Sequence, residues 1–349
     1  MKLITGNEAC GEGAVHAGCR FYAGYPITPQ NELTAYMAKR MDDIGGVFIQ
    51  AESELAAVSM VFGASVAGKR AMTTSSSPGI SLKQEGISYL AGCELPSVII
   101  NIMRGGPGLG NIAPSQADYF QATKGGGHGD YHQVVLAPAS CQEMFDFTRL
   151  AFDIADKYRT PVMVLGDGIL GQMMEPVTIP QNAKPTDKIA KPWALTGCKG
   201  RKPYMIRSLL LKEGELEALN EKLQKKYRDI RKKETRFEKY KTSSADIVLV
   251  AYGTSARVAR SCVERLRKEK IKAGLFRPIT LWPFPDKALK ALDSGKTKFL
   301  VVEMSTGQML EDVRLAIEDK KRIHFYGRTG GGVPGEEEVI KKAIKIWKK

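Results

Sequence analysis

Between residues 20 and 175, short apolar runs alternate with amphipathic or small-residue stretches, a rhythm that predicts β-α units feeding a parallel sheet. Strands are expected over 21–23, 47–50, 69–74, 97–103, 133–137 and 161–165, with helices over 30–40, 53–67, 78–92, 114–124 and 140–157. The opening MKLITGNEACGEGAV is polar and glycine-containing, with no apolar core, and none of the expected elements falls in it.

Residues 176–205 are rich in proline, lysine and polar side chains without a sustained period, and read as a connector. Beyond them Leu216, Leu219, Leu223, Tyr227, Ile230 and Phe237 mark one face of a highly charged helix. That helix would strap the first domain to the second, and a coiled-coil dimer is the competing account of the stripe. A second α/β unit starts near Ser244. Its expected strands are ADIVLVAYGT, KAGLFRPI, KFLVVEM and RIHFYG, a four-stranded set. Helices lie between them, and the last, EEEVIKKAIKIWKK, ends in lysines that suit the negative end of its dipole. The expected domains are therefore 1–175, a connector with the charged helix at 176–243, and 244–349.

At 349 residues, with 43% hydrophobic and 26% charged side chains, the chain is sized and composed for about two globular domains. No run approaches the ~20 apolar residues of a membrane span, and no signal core opens the chain, so a cytoplasmic protein is expected. The six cysteines are scattered without a CxxC pair, and the four histidines show no HxH or HxxxH pattern, so no metal site is expected on this chain. Residues 201–241 hold fourteen Lys/Arg against seven Asp/Glu, half of the net charge of +14. Such a run is more often a solvated helix face than a binding patch. No nucleic-acid signature accompanies it, and an acidic partner protein accounts for the basicity equally well.

Three loops carry candidate chemistry. Gly24-Tyr25-Pro26-Ile27-Thr28-Pro29 follows the first expected strand. The proline after Thr28 keeps that residue extended, presenting its hydroxyl at the carboxyl end of the sheet, unless it simply caps the next helix. Gln50-Ala51-Glu52-Ser53-Glu54 joins a strand to a helix rich in small residues, where Glu54 is either functional or an ordinary dipole partner. Arg104 ends a buried strand before Gly105-Gly106-Pro107-Gly108, well placed to hold a carboxylate by two parallel hydrogen bonds or to pair with a nearby acid. The glycines fit neither GxGxxG with its downstream acid nor GxxxxGK[ST], so nucleotide-loop readings fail on spacing.

Taken in series, GYPITP, QAESELAAVSMVFGASVAG, TTSSSPG and the MRGGPGLGN region closely resemble the α subunit of the 2-oxoacid:ferredoxin oxidoreductases, and the likeness continues through VAYGTS, GLFRPITLWPFP and VVEMSTGQM. The length is similar to the branched-chain 2-oxoacid group. The resemblance implies a pyrimidine-binding α/β domain of the thiamine-diphosphate type with a parallel sheet, followed by a smaller transketolase C-terminal-like α/β domain. It implies thiamine diphosphate held between two subunits, with the glutamate that matches Glu54 hydrogen-bonding the aminopyrimidine ring and assisting its acid-base chemistry. Pro26, Ile27 and Thr28 would line the cofactor, and Thr28 and Arg104 would attend the substrate carboxylate. Glu52 is the rival to Glu54 if the register slips. The loop at 125–130 resembles a family segment near the active site, which brings in His128.

Gly166-Asp167-Gly168 looks like the start of a diphosphate motif, which needs an asparagine about 25 to 30 residues later. The next asparagines are Asn182 and Asn220, so this GDG reads as a decoy turn. The resemblance then assigns magnesium, the diphosphate contacts and iron–sulfur clusters to a β subunit, with γ and ferredoxin-like δ subunits completing the complex. The implied reaction is oxidative decarboxylation of 3-methyl-2-oxobutanoate with coenzyme A, reducing ferredoxin. The runner-up substrate is 2-oxoglutarate, whose second carboxylate would want a cation such as Lys124. A non-catalytic docking protein on the same fold is the rival of another class.

Overall fold

The computed structural model describes residues 1–180 and 189–348; part of the expected connector, 181–188, lies outside them. The first half runs β1 (Lys2–Thr5), α1 (Gly6–His16), β2 (Phe21–Gly24), α2 (Asn31–Asp43), β3 (Val47–Gln50), α3 (Glu54–Val66), β4 (Ala71–Ser75) and α4 (Ser77–Gly92). It continues with β5 (Ser97–Met103), α5 (Tyr119–Thr123), β6 (Val134–Leu136), α6 (Cys141–Tyr158), β7 (Pro161–Asp167), α7 (Gly168–Gln172) and β8 (Met174–Val177). Then come α8 (Glu215–Lys233), β9 (Phe237–Tyr240), β10 (Ile247–Val250), α9 (Gly253–Lys268), β11 (Ala273–Pro278), β12 (Thr280–Trp282) and α10 (Asp286–Lys290). The chain ends with β13 (Lys298–Glu303), α11 (Gln308–Ala316), β14 (Ile323–Gly327) and α12 (Glu336–Trp347).

Seven strands form one sheet in the order β12-β6-β7-β5-β4-β2-β3, parallel throughout except for β12. Its central strand β5 is SVIINIM, buried along its whole length, as expected of a parallel sheet covered on both faces. A second sheet, β14-β13-β10-β11-β9, is parallel except for its antiparallel edge β9. Both sheets therefore exceed the sequence expectation by one strand. The second has five strands because Phe237 leaves the charged helix to open β9. The first gains β12 from a segment beyond residue 244, since Thr280 and Trp282 pair with Leu136 and Val135.

The opening fifteen residues are structured. β1 pairs antiparallel with β8, and α1 is capped by Thr5 and buried along most of its length. Its glycines are the reason: a Cβ on Gly13 would lie 2.4 Å from the Phe145 carbonyl oxygen, and one on Gly6 would lie 1.9 Å from that of Leu170. A helix buried through close backbone approach carries no apolar stripe to read. The helix expected over 114–124 shrinks to α5, because Ser115 and Gln116 are spent on the second unit. Gln116 Nε2 donates to the Tyr252 carbonyl (2.9 Å), and its Oε1 accepts from the Met304 amide (2.9 Å).

The middle of the stripe on α8 is consumed within the chain. Leu223, Tyr227 and Ile230 are buried in the same core as β5 and β7 and Leu219 is packed against it, whereas Leu216 stays exposed. The surrounding lysines serve the same strap: Lys222 and Lys226 pair with Glu94, and Lys157 pairs with Glu234 just past the helix end (2.8 Å). Arg277 of β11, itself buried, binds Glu143 of α6 through two 2.6 Å hydrogen bonds and Glu238 of β9 at 2.9 Å, linking the two units.

Candidate active site

Glu54 is the first residue of α3. Ser53, in extended conformation, caps that helix by accepting from the Ala56 amide (3.2 Å), so the carboxylate side chain starts where the strand-to-helix turn is most constrained. Glu54 is buried at 6% exposure, whereas Glu52 is exposed. The Glu54 carboxyl lies across Gly79 in the first turn of α4: a Cβ there would fall 2.6 Å from Glu54 Oε1 and 2.1 Å from Ser75 Oγ. No side-chain hydrogen bond is made to that carboxyl among the described residues. Beside it the Ser75 hydroxyl is buried without a partner among the described residues, as are the hydroxyl of the neighbouring Ser76 and, further along α4 against Gly126, both amide atoms of Gln84. Buried polar groups are normally satisfied, so such a concentration marks a surface built to meet something else.

Lys83, one turn after Gly79 on α4, is fully buried and donates to the Glu54 main-chain carbonyl (3.2 Å). Burial pushes its ammonium down to about 8, while the Glu54 charge works against that fall. It falls on the buried stripe of α4 with Ile80, Ile87 and Leu90, which is the signal that could have singled it out from the sequence.

Arg104 and Thr28 are brought together. Arg104 Nη1 donates to the Thr28 carbonyl (2.9 Å) and Nη2 to the Leu109 carbonyl (3.1 Å), while its buried Nε has no partner. Neither hydrogen bond goes to a carboxylate, so the acid-pairing account of this arginine does not apply. Thr28 does not cap α2, whose N-cap is Gln30; its hydroxyl accepts from Asn31 Nδ2 (3.1 Å). The Arg104 amide donates to Ser77 Oγ (3.0 Å), and that hydroxyl in turn donates to Asp118 (2.6 Å), which also takes Asn101 Nδ2 (2.9 Å). The sequence reading did not single out Asp118, and burial raises its carboxyl above the ordinary aspartate value. Ser77 thus joins the Arg104 loop to the helix that floors Glu54. Pro26 is exposed and Ile27 half-buried on the loop before Thr28.

His128 stands apart from Glu54. The 125–128 loop rests on the far half of α4: the Ser88 hydroxyl donates to the His128 carbonyl (2.7 Å), and the imidazole meets the Tyr89 ring edge-on at 6.0 Å. Ser88 is nine residues past Gly79, about 13 Å along the helix at 1.5 Å per residue. Lys124 pairs with Asp312 of α11. Asp167, centre of the GDG, is fully occupied: it accepts from the amides of Ile169 (3.1 Å), Leu170 (3.2 Å) and Thr254 (3.2 Å) and from the Thr254 hydroxyl (2.7 Å). This is a helix cap and an inter-unit anchor, as the decoy reading expected.

Large apolar side chains next in sequence to these groups face outward. Tyr25, Leu55, Leu82, Leu109 and Ile112 are all exposed, Leu109 at 82% and Ile112 at 66%. Apolar exposure around a buried, unpartnered carboxylate fits half of a site whose other half is another surface.

A family profile described as "Pyruvate flavodoxin/ferredoxin oxidoreductase, thiamine diP-bdg" matches residues 12–239, and one described as "Pyruvate:ferredoxin oxidoreductase core domain II" matches 245–339. The chain belongs to this oxidoreductase family. Within the family it is 50% identical over 345 residues to the ketoisovalerate oxidoreductase subunit VorB of Methanothermobacter thermautotrophicus, covering 99% of this chain and 97% of that one. It is 37% identical over 375 residues to the 2-oxoglutarate synthase subunit KorA of the same organism, covering 99% and 98%. Among solved structures it resembles a 2-oxoglutarate:ferredoxin oxidoreductase from Magnetococcus marinus with 2-oxoglutarate, coenzyme A and succinyl-CoA bound. There the TM-score is 0.89 and the identity 27%, over 99% of this chain and 65% of that longer one. A split gene transketolase, with TM-score 0.62 at 14% identity, shares the fold alone. The chain is thus an alpha-type subunit of a 2-oxoacid:ferredoxin oxidoreductase, as the motif series implied, on the thiamine-diphosphate-type fold that it implied. No described helix is long and apolar enough to cross a membrane.

The group named in the family profile fits the residues found here on one side. A partnerless carboxylate, unpaired serine hydroxyls and a floor that only glycine leaves open are suited to the edge of a nitrogen heterocycle. Asp167, by contrast, is buried and already accepts four hydrogen bonds from α7 and Thr254.

Proposed function

We propose that this chain supplies the ring-side half of a thiamine diphosphate site shared with a β subunit, in a complex that oxidatively decarboxylates 3-methyl-2-oxobutanoate with coenzyme A and reduces ferredoxin. The single observation that carries the proposal is the Glu54 carboxyl, on a buried residue and without a hydrogen-bond partner among the described residues, held over Gly79. Thiamine diphosphate, when bound, supplies the electron sink for decarboxylation. Glu54 holds a proton at the ring edge. Arg104 fixes the 105–111 loop and the Thr28 loop through their carbonyls and keeps Nε for a substrate carboxylate, with the Thr28 hydroxyl beside it. Pro26 and Ile27 form the neighbouring wall, and His128 has a supporting role at most, away from the ring.

In this reading the β subunit brings magnesium, the diphosphate contacts and iron–sulfur clusters, γ and ferredoxin-like δ subunits complete a cytoplasmic complex, and the chain divides at 1–175, 176–243 and 244–349. The branched-chain substrate is supported by the greater likeness to the ketoisovalerate subunit than to the 2-oxoglutarate one. Lys124 supports it too, since the cation that a second substrate carboxylate would want is committed to Asp312. The test is a panel of 3-methyl-2-oxobutanoate, 2-oxoglutarate and pyruvate on the complex co-purified with its partner subunits, with wild-type chain and with Glu54→Gln. The branched acid should give the highest kcat/KM, and Glu54→Gln should lower turnover by about 10²–10⁴, the usual worth of acid-base assistance. Preference for another acid overturns the substrate, and undiminished turnover in the variant overturns the role of Glu54.

A further inference from the structure

A lysine ammonium is among the costliest groups to bury, and Lys83 is buried completely with the Glu54 main-chain oxygen as its one hydrogen-bond partner. Three elements pack against α4 here. Of these, α3 brings Glu54 as its charged residue, β5 brings none, and the Asp167 of β7 is committed to Thr254 and the α7 amides. On α4 itself Glu85 points to solvent and accepts from Tyr89 (2.6 Å). Among the described residues the positive charge of Lys83 therefore faces Glu54 and no other acid.

We propose that Lys83 is a positioning residue for Glu54: its ammonium, clamped on the Glu54 carbonyl, fixes the first turn of α3 from which the carboxyl projects, so that loss of the Lys83 proton loosens that turn and switches the site off. A methionine would fill the same volume without desolvating a charge, so the lysine costs stability that its function must offset. Burial brings its titration to about 8, within the range where an enzyme is assayed, and the Glu54 carboxylate opposes that fall.

This inference rests on the assignment of Glu54 given above, and its test separates the two. In the isolated full chain carrying ¹⁵N-lysine, the Lys83 Nζ signal, assigned by its loss in Lys83→Met, should titrate near pH 8, and at a lower pH in Glu54→Gln. In the co-purified complex, turnover should fall about tenfold per pH unit above pH 8. Lys83→Arg, which keeps the charge, should carry activity at least one unit further into alkali, and Lys83→Met should show low turnover with no such limb. A Lys83 signal that titrates above pH 10, or one indifferent to Glu54→Gln, overturns the proposal without use of any Lys83 variant in the activity assay. An unchanged alkaline limb in a folded Lys83→Met complex overturns it as well. If Glu54→Gln itself retains full turnover, the assignment of Glu54 fails, whatever Lys83 does.

Discussion

Gly79→Ala is the sharpest perturbation of this site, because it puts a methyl group directly under the Glu54 carboxyl. The new Cβ would begin 2.6 Å from Glu54 Oε1 and 2.1 Å from Ser75 Oγ, against an ordinary contact distance of 3.4 Å or more. The serine hydroxyl is unpartnered and can rotate away. The carboxyl must retreat by about 0.8 Å, the difference between the 3.4 and 2.6 Å distances. Overpacking of this kind costs ~1–3 kcal/mol, and replacing a helical glycine by alanine returns ~0.5–1 kcal/mol. The net stability loss should therefore be about 0–2.5 kcal/mol, read from the urea midpoint of the chain. Displacing a reacting group by about 1 Å costs on the order of 10²-fold in rate. The signature is thus a modest stability change with a large fall in turnover, measured as dye reduction by the co-purified complex with 2-oxo acid and coenzyme A. Turnover within twofold of wild type would refute the claim that the placement of this carboxyl matters.

Arg104→Ala should raise KM alike for every 2-oxo acid tested while loosening the 105–111 loop, since it deletes both the free Nε and the two carbonyl clamps; unchanged KM values would remove Arg104 from substrate binding. Arg70→Met should destabilise the chain by about 3 kcal/mol, at the low end for breaking a buried ion pair, because Lys191 stays 2.9 Å from the stranded Asp156; a shift in denaturation midpoint under 1 kcal/mol would contradict this. Burial lifts the Glu303 carboxyl from 4.5 to about 7. Between those values the folded chain holds a proton that the unfolded chain has released, so stability falls as pH rises through that window, by roughly 3 kcal/mol in all. Glu303→Gln should flatten the slope between pH 4.5 and 7, and equal slopes in the two proteins would show that another group is responsible.

Much of the architecture could be read from the order of residues because parallel strands and amphipathic helices leave a local period. The fully apolar SVIINIM of β5 and the small-residue helix after Glu54 are of this kind, and the motif loops between them carry the family likeness. What has no period went unseen. The first helix is buried through glycine contacts with Phe145 and Leu170, partners more than a hundred residues away in the chain. Strands β9 and β12 are three or four residues long, and they become strands only because an edge elsewhere is open to them. The same distinction runs through the site. Sequence identified Glu54, Thr28 and Arg104 by their places in loops, since turn chemistry is local. Only the folded chain decided that Glu54 is buried while Glu52 is not, that Arg104 grips carbonyls rather than an acid, and that Lys83 comes to lie under the first turn of α3. Burial and pairing depend on what the chain brings back from a distance, and no short stretch of residues contains that information.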